Sequence, residues 1–100
     1  PTMTEAEYDT QVKAFIIDLR SKIPMLQAAT NRKAFNEVMA LTQRIRSAAI
    51  NLRLENIASL CSSILNNLRT IPDLPLLSEL QRQLLVEMNN VDRDQIKAAQ

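Results

Sequence analysis

The chain has 100 residues, no glycine, one cysteine, 3% aromatic residues and a formal net charge of +1. That length suffices for one hydrophobic core and is too short for two, so residues 1–100 are expected to form a single domain. A charge so near zero gives no reason to expect a polyanionic partner, and no basic stripe interleaved with stacking aromatics points to nucleic acid. The lone Cys61 excludes an internal disulfide and fits a reducing compartment. No apolar run approaches the ~18 residues of a spanning helix, and no signal-peptide segment opens the chain. A soluble, cytoplasmic protein with no membrane partner is the expectation. With no histidine and one thiol, neither a metal nor a cofactor is expected.

Glycine is absent where average usage is about 7%, and β-branched residues are scattered singly. Sheets need turn glycines and aromatic or β-branched strands, so helices with short connections are favoured. The first helix starts at Thr4-Glu5-Ala6-Glu7, a capping-box pattern in which Thr4 accepts from the Glu7 amide. Its apolar stripe is Tyr8, Val12, Phe15, Leu19, Ile23 and Leu26. Pro24 lacks the N–H that the helix needs and is expected to kink or restart it there. Thr30 and Asn31 mark a connection, with Asn31 as candidate N-cap of the second helix. That helix carries Phe35, Val38, Thr42, Ile45, Ala49 and Leu52 on one face.

After Asn51-Leu52-Arg53 a tight corner is expected, because the stripe restarts with Leu54, Ile57, Leu60, Cys61, Ile64 and Leu68. Cys61 therefore reads as a small buried apolar residue, not a reactive thiol. Ile71-Pro72-Asp73-Leu74-Pro75 is the clearest break, with Asp73 capping the last helix. That helix runs Leu77, Leu80, Leu84, Met88 and Val91 and fades into a polar tail at Lys97-Ala98-Ala99-Gln100. Four amphipathic helices with short connections bury their stripes against one another. The expected architecture is all-α: an antiparallel up-down four-helix bundle with a kink or break near Pro24. No internal repeat suggests a solenoid.

The outward face of the second helix carries a second pattern. Residues three, four or seven apart share a side, so Met39, Gln43, Arg46, Ser47 and Ile50 fall near one line. Arg44 and Arg53 flank it, which makes the far half of the helix basic.

Residues 42 to 61 read Thr-Gln-Arg-Ile-Arg-Ser-Ala-Ala-Ile-Asn-Leu-Arg-Leu-Glu-Asn-Ile-Ala-Ser-Leu-Cys. The stretch resembles the signature of the histidine-containing phosphotransfer (HPt) family, His-x-Leu-Lys-Gly-Ser-Ala-x-Asn-Leu-Gly followed by a helix ending Leu-Cys. Phe15 to Arg20, Met25 to Ala29 and Phe35 to Leu41 resemble the elements that precede that motif, so about half of the chain matches in pattern. The resemblance implies a bundle whose second helix docks onto the acidic phosphorylation pocket of a response-regulator receiver domain in bacterial two-component signalling. It puts Gln43 at the phosphorylated histidine, Arg46 at the family's lysine and Ser47 at a glycine that allows close approach. A second family glycine falls at Arg53, where a left-handed corner would strain a side chain, so the helix is expected to end differently there.

The departures bear on chemistry. A glutamine amide is neither basic nor nucleophilic here, although it can donate and accept hydrogen bonds in the space of an imidazole. Thr42 and Ser47 are the nearest hydroxyls; neither has an evident base, and Thr42 points toward the core by period. Glu5, Glu7, Asp18, Asp92 and Asp94 form no paired-carboxylate pattern and read as solvated surface. An enzyme is not expected.

Each outward residue also has a bland reading. Met39 and Ile50 read equally as half-buried residues, and the arginines as a solvated face balanced by Glu37 and Glu55. Three functional readings follow. One is a non-catalytic HPt-like docking module, a monomer that binds a receiver domain or a histidine kinase through Met39, Gln43, Arg44, Arg46, Ser47 and Ile50 without carrying phosphate. Another is a phosphotransfer protein of the phosphorelay whose histidine has been exchanged for Gln43. The last is a helical scaffold or oligomerisation domain.

Overall fold

A computed structural model describes residues 3–99. Four helices follow in order: α1 (Glu5–Asn31), α2 (Phe35–Asn51), α3 (Glu55–Leu68) and α4 (Leu74–Ala99), with no strand among the described residues. At 1.5 Å per residue α1 is about 40 Å long, which matches the longest molecular dimension of 43 Å. α1 packs against α2 and α4, and α3 packs against the same two helices, so α1 and α3 lie diagonally across the core, as do α2 and α4. The four helices therefore enclose one core, filled by the stripes that the period marks out. Val12, Leu19, Leu26, Val38, Thr42, Ile45, Ile57, Ile64, Leu77, Leu84 and Met88 are almost wholly buried. No described helix is long and apolar enough to cross a membrane.

Local chemistry explains most of the boundaries. The Thr4 Oγ1 accepts from the Glu7 amide at 3.1 Å and donates to the Glu7 carboxylate at 3.0 Å, closing the first turn of α1. The Asp73 carboxylate accepts from the Leu76 amide at 3.1 Å at the start of α4. Asn67 holds that corner from α3, accepting from the Asp73 amide at 2.9 Å and donating to its carbonyl at 3.2 Å.

Four expectations are corrected. α1 does not break at Pro24, which lies inside a continuous helix. Pro24 is exposed, so the Arg20 carbonyl that loses its amide partner can be satisfied by water. Nor does the chain turn at Thr30 and Asn31: α1 runs through both, and the N-cap of α2 is Ala34, without a side-chain hydrogen bond. Thr30 is core. Its hydroxyl donates to the Leu26 carbonyl at 2.8 Å and accepts from the side-chain amide of Gln81, also buried, at 2.8 Å. α4 does not fade before Lys97 but continues to Ala99, while Gln100 lies outside the described residues.

The fourth correction is at Arg53. The corner is left-handed there, with φ 58°, although the residue is not glycine. Lys33 has the same φ, and the two corners share one hydrogen-bond pattern. The Ala34 amide reaches back to the Ala29 carbonyl and Lys33 to Thr30; likewise Leu54 reaches Ala49 and Arg53 reaches Ile50. Each is a Schellman motif, a paired 6→1 and 5→2 closure that satisfies orphan carbonyls at a helix end. Both arise from similar strings, Ala-Ala-Thr-Asn-Arg-Lys-Ala and Ala-Ala-Ile-Asn-Leu-Arg-Leu. A left-handed residue with a Cβ costs about 1 kcal/mol relative to glycine. Lys33→Gly and Arg53→Gly are therefore each expected to raise stability by about 1 kcal/mol, read as a higher urea midpoint at unchanged slope.

Candidate functional site

α2 is a one-sided helix. Val38, Leu41, Thr42, Ile45 and Ala49 are buried against the core, which turns Gln43, Arg44, Arg46, Ser47 and Ile50 to the surface. Gln43, Ser47 and Ile50 form one exposed line, spaced by four and three residues, and Ile50 is 49% exposed. Met39 departs from this line: it is half-buried and packs against the core, so it supplies the edge of the face and not its centre. Arg44 stands one position on from Gln43, about 100° around the helix, on the flank away from Arg46.

Arg46 leans toward α3. Its Nε donates to the Ser62 hydroxyl at 2.9 Å, which fixes the guanidinium at the edge of the α2–α3 seam while leaving it exposed. Ser62 was not legible as part of this surface, because only the packing of α3 on α2 brings it there. Below it, Cys61 is fully buried and desolvation pushes its thiol up to about 12, an effect partly offset by the nearby Arg46 charge. Beyond Ile50 the seam opens into a shallow cleft of about 180 Å³ lined by Ala49, Ile50, Arg53, Leu54, Glu55 and Ala58, so one carboxylate shares the cleft with Arg53.

The electrostatics divide along the helix. Glu37 in the first turn is paired with Arg32 at 3.0 Å. Among the described residues Arg44, Arg46 and Arg53 have no carboxylate within ion-pair distance, so the far half of α2 presents uncompensated positive charge.

The hydroxyls differ in access. Thr42 is fully buried and its Oγ1 donates to the Val38 carbonyl at 2.7 Å, so it is closed to any phosphoryl donor. Ser47 is exposed. What the face offers is hydrogen bonding from Gln43 and Ser47, positive charge from the arginines and an apolar contact from Ile50.

No family model, curated protein or solved structure matches this chain.

Two outcomes check the rotation of α2. Ile45→Ala should lower stability by about 2–5 kcal/mol, the range for truncating a buried aliphatic residue, whereas Gln43→Ala should stay within about 0.5 kcal/mol; equal effects in denaturant titrations would mean the helix is rotated. Cys61 has a pH signature. Its thiol is neutral in both states below about pH 8.5, the ordinary cysteine value. Above that the unfolded chain gains a thiolate that the folded one does not form, because the buried thiol is held up at about 12. Stability contributed by the neutral thiol is thus complete below about pH 8.5 and declines as pH rises toward 12. Cys61→Ala, though less stable at neutral pH, should lose less stability between pH 8.5 and 10 than the parent does.

Proposed function

We propose that the chain is a non-catalytic docking module of two-component signalling, HPt-like in architecture, that binds a response-regulator receiver domain through α2 without carrying phosphate. The observation that carries this reading is one exposed line, Gln43, Ser47 and Ile50, with Arg46 beside it and, among the described residues, no carboxylate paired to Arg44 or Arg46. A receiver's phosphorylation pocket is acidic, so a face with Arg44 and Arg46 exposed around it and the small Ser47 beside Gln43 is complementary in charge and shape. Gln43 fills the place of an imidazole and keeps hydrogen-bonding capacity without its chemistry.

The bundle is read as up-down and antiparallel. Three contacts support this. The Tyr8 hydroxyl, near the start of α1, donates to the Leu52 carbonyl at the end of α2 at 2.6 Å. Thr30, near the end of α1, meets Gln81 early in α4. Asn56, near the start of α3, donates to Glu87 in the second half of α4 at 3.3 Å. The left-handed Arg53 also supports HPt-likeness, since the family pattern has glycine there. Lys33 shares that geometry, so the corner supports the reading only together with the exposed line that precedes it.

The test is a chemical-shift titration of the labelled chain with receiver domains of its own organism. Perturbations confined to Met39, Gln43, Arg46, Ser47 and Ile50 are expected. Arg46→Glu should weaken binding about tenfold or more and flatten its dependence on salt. Ser47→Trp should block approach while the helical circular dichroism is retained. A silent panel from a folded chain, or two variants that bind like the parent, overturns the assignment.

A further inference from the structure

The α1–α4 seam, which plays no part in docking through α2, holds a groove of about 430 Å³. Its floor is the buried Ile16, and its rims are Ile17 on α1 and Ile96 on α4, 68% and 56% exposed. One exposed isoleucine is unremarkable; two facing each other across a groove form a small unpartnered apolar surface. About one turn along the seam from them Arg20 and Asp92 span it at 3.5 Å, each still about half exposed at 55% and 43%. Lys13 and Gln95 complete the lining.

The charges identify the occupant. Cation and anion stand on opposite rims at the same level, and the two helices carry them in opposite chain directions. A twofold axis laid along the groove swaps the rims, setting α1 of one molecule over α4 of the other. Arg20 then faces Asp92 of the second copy, and Asp92 faces its Arg20, which closes a ring of four alternating charges. The same operation sets Ile17 over Ile96 of the second copy, twice. The rims are complementary to themselves in charge and in apolar character, which is the requirement for an isologous contact.

We propose that this chain forms a twofold-symmetric homodimer through the α1–α4 groove. The patch is short, so the interface falls at or below the ~1,200 Å² lower limit of stable complexes, and the dimer dissociates on dilution. α2 lies diagonally across the core from α4. The outward line of Gln43, Ser47 and Ile50 therefore stays uncovered, and a dimer presents two such faces. The inference is independent of what those faces bind.

Sedimentation equilibrium of the full chain over a wide concentration range tests it. The parent is expected to move from monomer to dimer as concentration rises, and Ile17→Glu is expected to remain monomeric with its helical content intact. Arg20→Asp and Asp92→Arg are each expected to weaken association about tenfold or more, since each sets like charges against each other across the axis. Mixing these two variants in equal amounts pairs opposite charges at both contacts, so the mixture is expected to associate where neither variant does alone. That recovery cannot come from a role inside one molecule. A parent that stays monomeric throughout, association that Ile17→Glu leaves intact, or a mixture that stays as weak as its components overturns the proposal. The first result would also leave the groove to another protein or to solvent.

Discussion

The rotation of α2 about its own axis is the constraint on which the outward surface depends. A helix turns about 100° per residue, so a shift of one position would replace Gln43 by Thr42 or Arg44 at the centre of the face. Close packing holds the rotation. Thr42 and Ala49 are small and almost wholly buried, which lets α2 approach its neighbours, while Val38 and Ile45 fill the space between. Thr42 is polar yet tolerated there because its hydroxyl is spent on the Val38 carbonyl within the same helix. At the far end Tyr8 reaches from α1 to the Leu52 carbonyl, an orphan acceptor at the helix terminus, and anchors the last turn.

A second constraint acts at the opposite end of α1. Thr30 and Gln81 are buried polar residues from the two longest helices, joined side chain to side chain at 2.8 Å. A buried amide without a partner would cost about 1–3 kcal/mol, so this bond favours one register of α1 against α4 over its neighbours. No buried side-chain polar atom is left without a partner among the described residues. The register matters beyond stability. It is the same register that brings Arg20 opposite Asp92 two to three turns along the seam.

Much of this was legible in the sequence, and the failures have physical causes. The four stripes from Val12 to Met88 were readable because a helix buried on one side must repeat apolar residues at three and four, and Thr4 and Asp73 were readable because caps act within one turn. The break expected at Pro24 does not occur because the lost hydrogen bond and the ring clash of one proline are outweighed where the flanking turns are buried, here at Ile23 and Leu26, and burial is a tertiary property. Thr30 and Asn31 looked like a connection because polar residues near a helix end usually face water; the partner that makes Thr30 a core residue is fifty-one positions away. Arg53 misled because left-handed geometry was expected to demand glycine, whereas here paired backbone bonds hold the corner against the strain. The outward line of α2 was read correctly as exposed except at Met39, whose half-burial follows from the lean of that flank toward α3, the flank that also carries Arg46 to Ser62.

The distribution of surface chemistry separates two kinds of contact. On α2 no carboxylate among the described residues pairs with Arg44 or Arg46, so that surface repels another copy of itself and favours an acidic partner. On the α1–α4 seam Arg20 and Asp92 offset each other at 3.5 Å, which leaves Lys13 as the remaining charge of the lining and a weaker field than that of α2. A surface on which charges of both signs stand side by side favours close, register-dependent contact, and exposed isoleucines on both rims add an attraction that acts only at contact. The ring of contacts keeps the two regions on different helix pairs: α2 touches α1 and α3, and the groove is built by α1 and α4. Occupying one face therefore leaves the other accessible. Any influence of one on the other would have to travel through α1, the only helix that both touches α2 and lines the groove.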